Sequence, residues 1–419
     1  MERYEAYKDS GVEWIGEIPA DWEVYKGSRA LNIVYGYPFE SELFSADEGW
    51  PLIRIRDVGC DVTEVAYLGE FIESARVENG DVLIGMDGDY KVAQWKGATA
   101  LLNQRVCMAK DSPVLMSKYL LYFLPNALQA INDLAYGTTV KHLGAKDLNS
   151  MRTLCPSLFE QQAIADFLDA KTAEIDGLIE DCEREVELLQ EYRKAVISEA
   201  VTKGLDPDVP MKDSGIEWIG RIPEGWSARP FKGIARVVAN LQHPEDYLDL
   251  PQVSPDRIEK DNGHLLPCPT VLEAGVESDN HLFREGDILY SKVRPALNKV
   301  TVAPFGGLCS ADMYPIVTSQ HRRWLMYFML SNAFMEQVVV STDRVKMPKI
   351  NKEEIGIFKV VVPEASEQQA IANYLDAKTA EIDSLISDKQ AMAEKLREYR
   401  KSLISEAVTG KFKVPGVSS

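Results

Sequence analysis

The sequence predicts an α+β fold in which two mixed α/β domains and two long coiled-coil helices follow one plan twice. Three observations carry this prediction. The segment Asp9 to Trp22, DSGVEWIGEIPADW, returns 204 residues later as Asp213 to Trp226, DSGIEWIGRIPEGW. The run Glu160 to Thr202 opens EQQAIADFLDAKTAEIDGLI, and Glu367 to Thr409 repeats it as EQQAIANYLDAKTAEIDSLI at an offset of 207. Between these anchors, about 24–156 and 228–363, the two copies share almost nothing. Self-similarity at a fixed period sets the folding unit, so it is read before any local pattern.

Each repeat is therefore a constant frame around a variable insert. Equal frames imply equal docking surfaces, and divergent inserts of nearly equal length imply one fold with two ligand faces. A partner that repeats in backbone but not in sequence suits such a chain, and duplex DNA has that property. The boundaries follow: a first domain over 1–158 with a frame arm at 1–24, a helix over 159–204, a second domain over 205–365 with an arm at 205–227, a helix over 366–411 and a tail at 412–419.

The frame helices are predicted from apolar spacing. Ile164, Leu168, Lys171, Ile175, Leu178, Cys182, Glu185, Leu189, Tyr192 and Val196 alternate steps of four and three. Ile371, Leu375, Lys378, Ile382, Leu385, Lys389, Met392, Leu396, Tyr399 and Leu403 do the same in the second copy. That period is the seam of a left-handed coiled coil, in which polar residues such as Lys171, Lys378 and Lys389 would fix register at a cost in stability. Ser366 with Gln369, and Ser157 with Glu160, match a capping box at the starts, while Gly204 and Gly410 mark the stops. Some 40 residues at ~1.5 Å each make rods of roughly 60 Å. Two rods with matched seams would most simply pack together.

In the inserts, Gly80-Asp81 and Gly286-Asp287 precede β-rich runs and read as turns entering strands. Side chains able to make directional contacts in a major groove cluster around the turns that follow: Arg54, Arg56, Lys91, Gln94 and Arg105 in the first insert, Lys292, Arg294, Asn298 and Lys299 in the second. Ahead of each rod lies a small-polar and basic cluster. The first holds Gly137, Thr138, Thr139, Lys141 and His142; the second holds Arg344, Lys346 and Lys349. Hydroxyls, amides and lysines at such turns suit phosphate oxygens.

Composition constrains the reading further. The net charge of −19 opposes a nucleic-acid partner, which favours a basic surface. Its distribution relaxes the objection: the first frame helix (160–204) carries 12 acidic against 5 basic residues, whereas the inserts balance at 16 against 13 and 17 against 16. No run approaches the roughly 20 apolar residues of a membrane helix, and MERYEAYKDS lacks the apolar core of a signal peptide. Six scattered cysteines without CxxC spacing fit a reducing cytoplasm better than a metal or disulfide framework.

Catalytic motifs are absent: there is no Gly-rich phosphate loop, GxGxxG, HExxH, GxSxG or Asn-Pro-Pro-Tyr. Asp87, Asp89 and Lys91 could be assembled into a metal-dependent nuclease set. The second insert has no counterpart at Lys292 to Arg294, and a strand-end Asp-Gly-Asp is more often a turn. A self-contained methyltransferase or nuclease and a coiled-coil scaffold are the competing readings.

The twice-repeated DSGVEWIGEIPADW and EQQAIADFLDAKTAEID elements, GDVLI and GDILY within the inserts, and GTTVKHL before the first rod resemble the specificity subunits of type I restriction-modification systems. The resemblance covers nearly the whole chain. It implies two target-recognition domains, each reading one half of a split asymmetric double-stranded DNA site, an antiparallel pair of rods acting as a spacer, and two methyltransferase subunits docked on the repeats. Restriction subunits would join them. The partners would hold S-adenosylmethionine, ATP and Mg; the chain itself would hold no cofactor or metal and perform no catalysis. The second insert departs from the pattern, with RVKMPKI where the first has GTTVKHL.

Overall fold

The computed structural model describes residues 2–134, 142–342 and 348–417. The chain divides into two compact units, one formed by Met1–Asp181 with Met392–Ser419 and the other by Cys182–Ala391. The division passes through both frame helices, Leu158–Lys203 (rod 1) and Ala365–Val408 (rod 2). Each unit thus contains a mixed α/β insert and a segment of each rod. Among the described residues no helix is long and apolar enough to cross a membrane.

In the first unit the insert supplies β1 (Asn32–Tyr35), β2 (Trp50–Ile53), β3 (Val82–Gly85), β4 (Val92–Gln94), β5 (Ala100–Leu102), β6 (Val106–Lys110) and helix α1 (Ser117–Leu134). Four of these strands form an antiparallel sheet in the order β4-β3-β6-β1, and β5 pairs in parallel with β2 through Leu101–Leu52 and Leu102–Ile53. The second unit supplies β7 (Ala235–Val237), β8 (Gln252–Val253), β9 (Ile288–Ser291), β10 (Val300–Val302), β11 (Gly307–Cys309), β12 (Met313–Thr318) and α2 (Arg322–Leu330). Its sheet order is β10-β9-β12-β7, and β11 pairs in parallel with β8 through Gln252–Leu308 and Val253–Cys309. Two inserts without visible sequence likeness have the same topology, as the equal frames predict.

The Gly-Asp signals are local and physical. Gly80 and Gly286 take φ values of +98° and +83°, a region that favours glycine. The following carboxylate accepts the amide three residues back, Glu78 to Asp81 at 2.8 Å and Arg284 to Asp287 at 2.9 Å. Both β3 and β9 are buried along their whole length because they are covered on two sides. Val82 and Ile84 face the core made with α1 and the rods, while Leu83 faces a second cluster around Trp95. Ile288 and Tyr290, against Leu289, alternate in the same way.

The two frame motifs meet each other within each unit. In the first, Ile18 and Trp22 pack with Ala407 and Val408 of rod 2. Gly410 ends that rod at φ +68°, with the amides of Gly410 and Lys411 donating to the carbonyls of Ala407 and Glu406 at 3.2 and 2.9 Å. In the second, Ile222 and Trp226 pack with Ala200 and Val201 of rod 1, which stops at Gly204. The Trp226 indole donates to Glu367 at 2.8 Å.

Within each unit the rod segments run antiparallel, as the resemblance implies. Asp176 meets Arg400 and Phe167 meets Phe412 in the first unit; Arg193 meets Asp383 in the second. The seam itself differs from the expected one. Ile164, Leu168, Ile175, Ile371, Leu375, Ile382 and Leu403 are buried and Leu189 and Leu396 are half-buried, but Leu178 and Leu385 are 43% and 44% exposed. Thr172, Ile179, Thr379 and Ala393 take the buried places, so the stripe advances by steps of four at the rod starts, where the helices face a globular insert rather than only each other. An α-helix has 3.6 residues per turn, and a 3.5-residue seam holds only where two helices supercoil. Lys171 and Lys378 consequently lie outside the seam, paired to Glu174 and Glu381 at 2.7 and 2.8 Å, whereas Lys389 does bridge the rods to Glu185.

One cap also differs. Ser157 accepts the Glu160 amide at 3.2 Å as expected, but rod 2 begins at Ala365, which places Ser366 inside its first turn. Gln369 then pairs along the surface with Asn373.

Candidate nucleic-acid interface

Each insert brings four chain segments together at the end of its central strand, by the same main-chain hydrogen bonds. After β3, the Met86 amide donates to the Arg105 carbonyl at 3.0 Å and the Leu143 amide donates to the Met86 carbonyl at 2.7 Å. After β9, the Lys292 amide donates to the Asp312 carbonyl at 3.0 Å and the Ile350 amide donates to the Lys292 carbonyl at 3.0 Å. Isolated bridges join Asp87 to His142 and Val293 to Lys349. The fourth segment follows the parallel strand: the Asn103 amide donates to Ile53 and the Ser310 amide to Val253, at 3.0 and 2.9 Å, which sets residues 54–57 and 254–257 alongside.

Side chains on this shared backbone differ in charge. In the first unit Asp87 sits between two side chains, with Arg105 Nη1 at 3.3 Å and His142 Nδ1 at 2.7 Å. In the second, the place of Arg105 is taken by Asp312, whose carboxylate lies 3.5 Å from Lys349 Nζ. Val293 stands where Asp87 does. An arginine site in one unit is thus a carboxylate site in the other.

Around the first centre, Arg54 reaches Glu64 at 3.1 Å and Arg56 reaches the same carboxylate at 3.4 Å. Lys91 is exposed and lies over Gly59, where an added Cβ would meet its Nζ at 2.7 Å. Gln94 is not part of this centre. It pairs opposite Val82 at the far end of β3, and its amide donates to Gly80 at 3.2 Å.

The second centre opens into a cleft of about 570 Å³ lined by Asp256, Arg294, Lys299, Asp312, Pro348 and Lys349. Lys299 donates to the Pro255 carbonyl at 2.7 Å. A hydrogen bond from the Ser254 hydroxyl holds the Asp256 carboxyl below its usual range. Lys292 is half-buried with its ammonium 5.1 Å from the centre of the Tyr314 ring. Arg294 and Asn298 both adopt left-handed backbone, φ +46° and +45°. Asn298 is 1% exposed and donates to the Leu330 carbonyl at 3.1 Å, so the base-contact expectation for it is corrected. Asparagine tolerates this backbone region through its short polar side chain, and here it holds the turn. Gly137, Thr138, Thr139, Lys141, Arg344 and Lys346 lie outside the described residues.

Sequence reasoning missed Asp312 and weighed Asp87 only as a metal ligand. A signal was present: Asn103-Gln104-Arg105 and Ser310-Ala311-Asp312 stand 207 residues apart, the offset of the frame helices. It was hidden because the triplets have no residue in common.

Residues 19–188 match the type I restriction modification DNA specificity domain. The chain is 25% identical to the type I restriction enzyme EcoDI specificity subunit of Escherichia coli, over 95% of its own length and 90% of that protein. It is 29% identical to the EcoBI specificity subunit of the same organism, over 96% and 89%. Among solved structures, a chain from a study of assembly and conformational transition in the type I R-M system matches with a TM-score of 0.71 at 14% identity, covering 93% of this chain and 98% of that one. The HsdS subunit from Thermoanaerobacter tengcongensis matches at 0.51 and 14%, over 94% and 98%. At this identity the structural likeness speaks for the fold.

Proposed function

We propose that this chain, which belongs to the specificity subunits of type I restriction-modification systems, reads a split asymmetric DNA site with one recognition domain per half-site and docks methyltransferase and restriction subunits. The single observation that carries the reading is the shared four-segment centre with exchanged charge. Equal backbones with Arg105 in one unit and Asp312 in the other are what two readers of different half-sequences require.

In this reading Arg54, Arg56, Lys91, Arg105 and His142 face one half-site, with Gly137, Thr138, Thr139 and Lys141 on its phosphates. Lys292, Arg294, Lys299 and Lys349, with Arg344 and Lys346, face the other. Gln94, far from the centre, could take part only through a separate contact. Residues 1–158 and 205–365 act as the recognition domains, and 159–204 and 366–411 as spacer helices. Repeated frame surfaces suit two copies of one methyltransferase. The chain is the non-catalytic member of the assembly: S-adenosylmethionine would be held by the methyltransferase, and ATP with Mg by the restriction subunit. Six free cysteines suit a reducing cytoplasm.

The test is a gel shift with random duplexes, run with and without the methyltransferase. Selective binding to a split site in the complex is expected. Methylation or cleavage by the chain alone would overturn the non-catalytic assignment.

A further inference from the structure

We propose that Arg105 and Asp312 are equivalent base-reading positions, Arg105 taking guanine in one half-site and Asp312 taking the exocyclic amine of cytosine or adenine in the other. The inference rests on the DNA-recognition reading above and assigns Asp312, a carboxylate, a direct role in it.

Both residues are held from two sides before any ligand arrives. Each carbonyl accepts from the turn after the central strand at 3.0 Å. Each amide donates to a small polar side chain two residues earlier, Arg105 to Asn103 Oδ1 at 3.3 Å and Asp312 to Ser310 Oγ at 3.2 Å. The side chains stand roughly half-exposed in the turns immediately before the strands β6 and β12. Such anchoring keeps a contact group in register with a rigid partner.

The chemistry follows from the exchange of charge. Arginine presents two parallel donors that match guanine O6 and N7, and a carboxylate accepts from an amine such as cytosine N4. A carboxylate is otherwise out of place in a cleft meant for DNA, because it repels phosphate while a neutral or basic residue would not. Here Arg294, Lys299 and Lys349 line the same cleft with a second carboxylate, Asp256; the Ser254 hydroxyl holds Asp256, whereas Asp312 is half-exposed with Lys349 beside it at 3.5 Å. An acceptor for a base amine accounts for that placement. Lys349, at 3.5 Å, is free to turn to a phosphate when the amine arrives.

The experiment uses the full-length chain, alone and with its methyltransferase partner, and a library of duplexes randomised at both half-sites, with the bound fraction sequenced. Arg105→Gln is expected to reduce the guanine preference at one base pair roughly tenfold or more, leaving the other half-site unchanged. Asp312→Ala should do the same to a cytosine or adenine preference in that other half-site, and the enriched base tells which amine is read. Lys349→Ala should weaken all sequences alike. If Asp312→Ala also weakens all sequences alike, Asp312 only positions Lys349 and the proposal is overturned. It is equally overturned if every base preference survives both variants. A wild-type chain without any sequence preference removes the recognition reading itself, an outcome distinct from these. Far-ultraviolet circular dichroism on each variant excludes loss of fold as the cause.

Discussion

Arg193 binds Asp383 from one rod to the other within the second unit, Nε to Oδ1 at 2.8 Å and Nη2 to Oδ2 at 3.1 Å. Arg400 and Asp176, each 207 positions from its counterpart, make the same pair in the first unit, at 2.8 and 3.1 Å. Burial separates them. The Arg193 side chain is 5% exposed and also donates to the carbonyls of Asp261 and Asn262 at 3.2 and 3.0 Å, whereas Arg400 is 37% exposed. Removing one partner of a buried pair leaves an uncompensated charge, so Arg193→Ala should cost about 3–5 kcal/mol. Arg400→Ala should cost about 0–1 kcal/mol, as solvent-exposed pairs do. Urea unfolding of both variants gives the ranking, and the reverse order would show that the shared pair does not act through burial. Arg193→Lys should recover little, because one ammonium does not reproduce a fork reaching a carboxylate and two carbonyls.

The first glutamine of each EQQAIA element fastens rod to insert. Gln161 accepts from the Met116 amide at 2.8 Å and donates to the Val114 and Pro156 carbonyls at 2.8 and 2.9 Å. Gln368 accepts from the His321 amide at 2.9 Å and donates to Pro363 and Gln320 at 3.0 and 2.8 Å. Gln161→Leu or Gln368→Leu strands buried groups, each worth about 1–3 kcal/mol. The neighbours Gln162 and Gln369 pair along the helix surface with Asp166 and Asn373, and their alanine variants should stay within about 0.5 kcal/mol. Thermal melts of the four variants check the contrast; equal effects would mean that the motif acts through something other than this contact.

The frame was legible in the sequence because repetition exposes it: Trp22, Trp226, Gln161 and Gln368 are buried where both copies agree. Strands announced by Gly80-Asp81 and Gly286-Asp287 were legible for a local reason, the turn each pair closes. The seam was half legible. Heptad spacing assigned Lys171 and Lys378 to it, but packing of the rod starts against an insert moved Thr172 and Thr379 inside, each hydroxyl satisfied by the carbonyl four residues back at 2.7 Å. The centre was least legible, since it is assembled by main-chain bonds between residues such as Met86, Arg105 and Leu143, whose side chains carry no sign of that pairing.

Burial lowers the pKa of His281, and the nearby Lys292 ammonium lowers it further. A histidine with a depressed folded-state pKa is neutral in both states above the unfolded value of about 6.5, where its contribution to stability is complete. As pH falls below that value the unfolded chain takes up the proton first, and the contribution is lost as pH passes through the folded pKa. The urea midpoint of the wild type should therefore fall between pH 7.5 and 5 by more than that of His281→Gln. Parallel curves for the two proteins would assign the acid sensitivity to other groups.

Salt should separate the two kinds of surface. Lys349 is 58% exposed and Lys141 belongs to the proposed phosphate cluster, so alanine at either should weaken DNA binding uniformly across sequences and lower the slope of log K against log salt by about one. The first frame helix, with 12 acidic against 5 basic residues, repels phosphate and leaves it to the inserts to supply the counter-charge. Raising salt on the assembled complex is therefore expected to weaken DNA binding more steeply than it weakens subunit assembly, measured by titrating both in the same buffer series. An assembly that dissolves first would place the dominant ionic contacts between subunits, and the acidic frame would then be a partner-binding surface rather than one that keeps the rods from DNA.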